Sequence, residues 1–289
     1  MPKNLSGTAG MWWRQIRVVL AAAVILPMVA LGLNVQSAGA SGLTPALKPP
    51  TILTTGQIRY CSDISSPPIE FLNSKQRPIG SDIQIGTAIA KALHLKAVWE
   101  QTAFSGIIPA LQAHHCDAIL SQLYIKASRK TVVDFVPYMY SSESVTVPSA
   151  NPGNITGFDT SLCGQTVSTV TGTTAQTELA TLSSTCTSEG KSPVQAVLFT
   201  SDVQALQNML TGRSTAYTTT SETGAYYMRA DHNQFKFVGK PFGRILTGIA
   251  INKKSPKLLA ALKHAFALVR KSGKYNKIMT KWGISRDEL

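Results

Sequence analysis

Short apolar runs alternate with longer amphipathic stretches along the first half of this chain. Ile58–Cys61 has the length and composition of a strand, and the stretch from Ile83 to Leu95, IQIGTAIAKALHL, sets Ile85, Ile89, Ala92 and Leu93 on one helical face. A strand at Lys96–Glu100 follows, then a helical stretch from Phe104 with Ile107, Ile108 and Leu111 on its apolar side, then a strand at Ala118–Leu120. Next come a polar turn (Ser121, Gln122, Tyr124), a basic segment with Arg129, and a second apolar run, Val132–Val136. Strand, helix, strand, helix, strand is a βαβ series and predicts an open α/β sheet. Ligands in such sheets sit at the carboxyl ends of the strands, so Ser121, Gln122, Tyr124 and Arg129 are the first candidates for a binding surface.

Past Pro137 the pattern changes. Ser144–Val147 reads as a strand leaving one domain, and the Pro, Gly and Asn residues of SANPGNITG open another. The second block predicts strands at Gln165–Val170, Ala196–Phe199, Thr215–Thr219 and Phe235–Gly239. Helices fall between them: GTTAQTELATLS, then SDVQALQNMLTG, capped by Ser201 or Asp202 and ended by Gly212, then TSETGAYYMRA. Gly248–Ile251 is apolar and returns to the first domain. The tail holds an amphipathic helix with Leu258, Leu259, Leu262, Phe266 and Val269, a break at Gly273, and a short helix whose Tyr275, Ile278, Met279 and Trp282 read as core or docking contacts. The expected organisation is two α/β lobes with open mixed sheets flanked by helices. Residues 56–145 form the first part of lobe 1, 146–241 form lobe 2, and 242–289 return to lobe 1 with the C-terminal helices. Two crossings, near 145 and 242, restrict motion to a hinge and leave a cleft suited to a small solute.

The N-terminus does not fit this pattern. Lys3, Arg14 and Arg17 precede the apolar run Val18–Leu33, which leads to Ala38-Gly39-Ala40: an export signal over residues 1–40, cleaved before Ser41 or after Ala38. The alternative is a retained anchor, for which a 16-residue run containing Pro27 is short. No cysteine near the exit supports a lipid anchor. Residues 41–55, rich in proline and threonine, form a leader. Without residues 1–40 the chain keeps 25 basic and 15 acidic residues, a net charge of +10. The charges are dispersed, with no basic stripe and no recognition motif, so nucleic acid is not an expected partner. Export permits disulfides. Cys163 and Cys186, with 22 residues between them on either side of a strand-plus-helix pattern, are the best pair, while Cys61 and Cys116 read as buried thiols or a second bridge. His114 and His115 are adjacent and point apart, and Cys/His metal spacing is absent, so no metal and no cofactor is expected.

In order and spacing, SDISSPPIEF with Gly80-Ser81-Asp82-Ile83, FSGIIPAL, HCDAILSQLYIKASRK and VDFVPY, VTGTTAQ, the helix and Gly212 before the threonine strand, and GKYNKIMTKWG cover nearly the whole chain after residue 40. Together they resemble the solute-binding proteins of bacterial ABC importers, specifically the polar amino acid-binding class (family 3). The resemblance implies a two-lobed type II periplasmic-binding-protein fold and a periplasmic monomer. Its partners are a small-molecule solute and permease subunits in the inner membrane, driven by a separate ATPase. It implies Arg129 as the clamp on a ligand carboxylate, Asp63 as the contact to a polar or cationic ligand part, Phe104 packing on the ligand, and Ser121 as a further contact. Gly172, Thr173 and Thr174 match a strand-to-helix turn that binds the carboxylate opposite Arg129, in keeping with the anion affinity of free helix N-terminal amides. Structural roles stand beside these: core for Phe104, turn cap for Asp63, helix cap for Thr173.

The departures are informative. Gln122 and Tyr124 replace small hydroxyl residues, and Ser66 stands where the first-lobe loop has an aromatic. The family's second-lobe aspartate, partner of the ligand α-ammonium, falls at Thr220, with Glu222 as a nearby substitute or a helix first-turn residue. The carboxylate clamp is thus retained and the amino clamp weakened, which points to an unusual amino acid, a conjugate of one, or an organic acid. An enzyme is not expected. A few proteins of this fold are dehydratases or lyases, and Asp63, Glu70 or Glu222 could supply a base, yet no nucleophile motif or metal triad is present. The chain carries no Walker motif. A sensor presenting the solute to a membrane receptor is the nearer alternative.

Overall fold

The computed structural model of the protein describes residues 47–230 and 233–289. The export signal expected over 1–40, and residues 41–46 of the leader, lie outside the described residues. Strand β1 (Gln57–Ser62) opens the fold, and β2 (Ser65–Ser66), β3 (Glu70–Leu72) and β4 (Pro78–Ile79) form a small antiparallel sheet. Then come α1 (Ser81–Ala92), β5 (Lys96–Gln101), α2 (Ile107–Gln112), β6 (Ala118–Ile119), α3 (Ala127–Lys130) and β7 (Val133–Pro148). The second half adds β8 (Thr166–Val170), α4 (Thr174–Ser188), β9 (Gln195–Phe199), α5 (Asp202–Leu210), β10 (Ala216–Thr220) and α6 (Ser221–Ala230). The chain closes with β11 (Phe235–Asn252), α7 (Pro256–Lys271) and α8 (Lys274–Trp282).

The main sheet runs β5-β1-β6-β11-β7-β10-β8-β9. β1 pairs in parallel with β5 and β6, and β8 with β9 and β10, as the βαβ pattern predicts. The long strands β7 and β11 lie antiparallel between these two groups. Here the structure differs from the sequence reading. The runs 132–136 and 144–147 are two ends of the single strand β7, and 235–239 and 248–251 are two ends of β11. The stretches between them lack a clear apolar alternation, but each long strand supplies the other's backbone partners. Register shifts between Val238 and Phe242, Phe242 and Ile245, and Thr247 and Gly248 absorb the mismatch.

The largest apolar cluster packs α1, α7 and α8 on the first parallel group through Tyr60, Ile85, Leu262, Phe266 and Tyr275. A second gathers Val145, Val167, Leu179 and Cys186. The end of the leader belongs to the fold: Ile52 is buried, and Asp117 accepts from the amides of Leu53 and Arg59, each at 2.7 Å. Cys163 bonds Cys186, and Cys61 bonds Cys116. The buried-thiol reading of Cys61 and Cys116 is therefore corrected. Pairing of β1 with β6 brings their Cα atoms to 5.6 Å, within bridging distance.

Candidate ligand-binding cleft

The carboxyl ends of β1, β6, β8 and β10 meet across the two long strands. Between the lobes lies a cavity with about 500 Å³ of empty space, part of it continuous with solvent. Asp63, Ser66, Glu70, Phe104, Ser121, Gln122, Tyr124 and Arg129 line it from the first half and Glu143 from β7. Val170, Thr173, Thr174, Ala175, Asp202, Thr219 and Thr220 line it from the second half. Of the residues singled out from sequence, Gly172 and Glu222 are not on its wall.

One end is built for an anion. Arg129 Nη1 donates to the Tyr124 carbonyl (3.1 Å), Nη2 reaches the Gly172 carbonyl across the cleft (3.4 Å), and the guanidinium stands 5.6 Å from the Phe104 ring centre. Facing it is the start of α4. Thr173 caps the helix by accepting from the Gln176 amide (3.3 Å), while the Thr174 hydroxyl is buried without a partner. The first amides of an α-helix have no intrahelical acceptor, so Thr174 and Ala175 present donors here. Gly172 cannot add its own amide, which donates to Gln176 Oε1 at 2.6 Å; its contribution is the carbonyl that holds Arg129.

A second end is acidic. Ser121 accepts from the Asp63 amide (3.0 Å) and donates to Glu70 Oε1 (2.8 Å), so it fixes the Asp63 backbone and orients the Glu70 carboxyl. Ser65 donates to Asp63 (2.9 Å). Ser66 and Thr219 donate to Asp202 at 2.5 and 2.8 Å, and Tyr217 donates to it as well. Glu70 is buried with the Asp82 carboxyl beside it. Burial raises the Asp63 carboxyl to about 7 and pushes Glu70 and Asp202 above the usual carboxylate range, Glu70 helped by nearby Asp82. Among the described residues no lysine or arginine forms an ion pair with these three. Buried carboxyls without a cation either hold protons or await a positive group. Arg129 feels the charges of Tyr124 and Glu143, while Asp63, Glu70 and Asp202 act on one another and Asp202 also reaches Glu143.

Behind the wall, a polar network ties the lobes to β7. Gln122, at φ +44°, donates its amide to Asp82 (3.0 Å) and its side chain to Ser141 (3.0 Å) and Glu222 (3.2 Å). Ser141 also donates to Glu222 (2.9 Å) and shares a hydrogen bond with the Tyr124 phenol (3.0 Å). Glu222 therefore belongs to the network at the junction of the lobes and is not on the cavity wall. Glu143, Asp202 and Thr219 are wall residues that the sequence reading left out, and Glu70 appeared there only as a conceivable base. Asp202 showed itself as a helix cap. Glu143 gave one signal, an acid within the apolar strand pattern SESVTV. Among the described residues no three His, Cys, Asp or Glu side chains are placed to hold a metal.

Residues 58–285 match the bacterial extracellular solute-binding proteins, family 3. The chain belongs to this family. As a family 3 protein it is a binding protein, not an enzyme. It works outside the cytoplasm and serves with the membrane permease and ATPase subunits of an ABC import system. It is 28% identical to the L-arginine-binding protein of Pseudomonas aeruginosa over 81% of this chain and 90% of that one. It is 26% identical to the histidine-binding periplasmic protein of Escherichia coli K12, over 78% and 86%. Among solved structures, an ancestral arginine-binding protein bound to arginine superposes with a TM-score of 0.73 at 30% identity, covering 78% of this chain and 98% of that one.

Proposed function

We propose that this family 3 protein captures a basic amino acid and hands it to an ABC permease in the inner membrane. The observation that carries this is the cluster of Asp63, Glu70 and Asp202, buried together without a cation at one end of a cavity whose other end holds Arg129. A basic amino acid has the matching charges: a carboxylate for Arg129 and the α4 amides, and a distal cation for the acids. The names of the arginine- and histidine-binding relatives agree. An organic acid, admitted by the sequence reading of position 220, fits poorly, because a second anion would meet buried carboxyls instead of a cation. An importer and an enzyme both need a cleft, but nothing in this one resembles a reacting pair. Residues 56–145 and 242–289 form one lobe and 146–241 the other, closing by a hinge along β7 and β11. The mature protein begins near Ser41 and acts as a periplasmic monomer.

Calorimetric titration with L-arginine, L-lysine, L-histidine, L-glutamine and L-glutamate tests this. Tightest binding of one of the three basic amino acids is expected. A preference for glutamate, or for glutamine over all three, would overturn it.

A further inference from the structure

We infer that Glu143 receives the α-ammonium of the captured amino acid, an inference that rests on the basic amino acid reading above. An α-ammonium and an α-carboxylate share one carbon, so the ammonium anchor has to stand beside the carboxylate grip. Four acids line the cavity, and Glu143 is the one whose charge reaches Arg129. Asp63 and Glu70 stand away from Arg129, and Asp202 lies between, facing both Glu143 and Asp63.

Glu143 is buried on β7, 3% exposed, and forms no ion pair among the described residues. The groups that face it are the Tyr124 phenol, the carboxyls of Glu178, Glu222 and Asp202, and the cations Arg129 and Lys126. Acids outnumber cations there, and burial with Glu178 nearby lifts its carboxyl to about 8. A ligand ammonium would supply the missing positive charge.

The sheet register explains why position 220 can be a threonine. Thr220 of β10 lies directly opposite Glu143 of β7 in an antiparallel pair, and both line the cavity. Residues so paired share a face with Cβ atoms about 5 Å apart. A carboxylate at 143 therefore reaches the space that one at 220 would serve. The amino clamp that looks weakened along the sequence has moved to the neighbouring strand.

The test pairs two proteins with two ligands, L-arginine and 5-guanidinopentanoate, which is arginine without its α-amine; L-lysine and 6-aminohexanoate serve likewise. Wild type should prefer L-arginine. Glu143→Gln should weaken L-arginine by about 30-fold or more while leaving 5-guanidinopentanoate within about threefold, the size expected for a buried charge pair. Adding Thr220→Asp to Glu143→Gln should recover about tenfold or more of the loss. Thermal melting of each variant controls for folding, and Glu143→Asp keeps the charge if Glu143→Gln does not fold. Equal weakening of both ligands, or of neither, would overturn the inference while leaving the functional proposal standing. A wild type that binds no basic amino acid would overturn both.

Discussion

Arg129 has five N–H donors, and two of them already hold the carbonyls of Tyr124 and Gly172. The remainder, fixed in a plane over Phe104, are preorganised for a carboxylate, which lowers the entropy lost on binding. Arg129→Ala should weaken ligand binding by about 30-fold or more. The residue is half-buried and its hydrogen bonds go to two backbone carbonyls, so the melting temperature should move little. An unchanged dissociation constant in calorimetry would remove Arg129 from the site. Gly172 makes a different point. At φ +81°, a Cβ there would stand 2.8 Å from the Ser105 Cα across the cleft. Gly172→Ala should therefore hinder closure more than folding. The expected outcome is weaker binding with a more extended scattering profile in the presence of ligand.

At the scale of elements, β7 and β11 set the geometry. Both run unbroken through the two lobes, so Glu143 on the cavity wall and Ser141 behind it stand on a strand and not on a loop. Two disulfides hold elements on either side. Cys61–Cys116 closes 55 positions across the first group of parallel strands, and Cys163–Cys186 closes 23 across β8 and most of α4. Loop entropy in the unfolded chain predicts losses of about 4 kcal/mol for Cys61→Ser/Cys116→Ser and about 3 kcal/mol for Cys163→Ser/Cys186→Ser. Urea unfolding of the two double variants should rank them in that order. Loss of the Cys61–Cys116 bond should also weaken ligand binding, since Asp63 and Ser121 sit two and five residues from its ends.

Over the whole molecule, charge is sorted between inside and outside. Asp63, Glu70, Asp82, Asp117, Glu143, Asp202, Glu222 and Asp287 are buried, eight of the fifteen acidic residues, so the surface is more basic than the net charge conveys. Burial raises Asp63, Asp82 and Glu222 to about 7 and Glu143 to about 8. These groups hold protons in the folded state that the unfolded chain releases near pH 4. Their contribution to stability is full below that pH and is lost as pH rises through 7 to 8. The ligand-free protein should melt at a lower temperature at pH 8 than at pH 5.5. Affinity for L-arginine should change the other way, rising from pH 5.5 to pH 8 as the cavity acids ionise. A flat affinity profile over that range would show that these acids do not meet the ligand's charges.

The order of strands and helices, the apolar faces of α1 and α7, the cap at Ser201 and the strand-to-helix turn at 172–174 were all legible in the sequence. Each depends on neighbours within one element or its adjoining turn, where period and capping chemistry leave a local mark, whereas the roles of Arg129 and that turn came from the family resemblance. The tertiary structure alone decided that β7 and β11 are continuous, because strand pairing uses backbone groups and tolerates the polar stretches in between. It alone joined Cys61 to Cys116. It also brought Ser66 against Asp202 from 136 positions away and set Glu143 opposite Thr220. An acid in a strand reads as solvent-facing until a second lobe covers it. For that reason the sequence determined that Arg129 stands after the strand at 118–120, and only the tertiary structure decided that acids from both halves of the chain share its cavity.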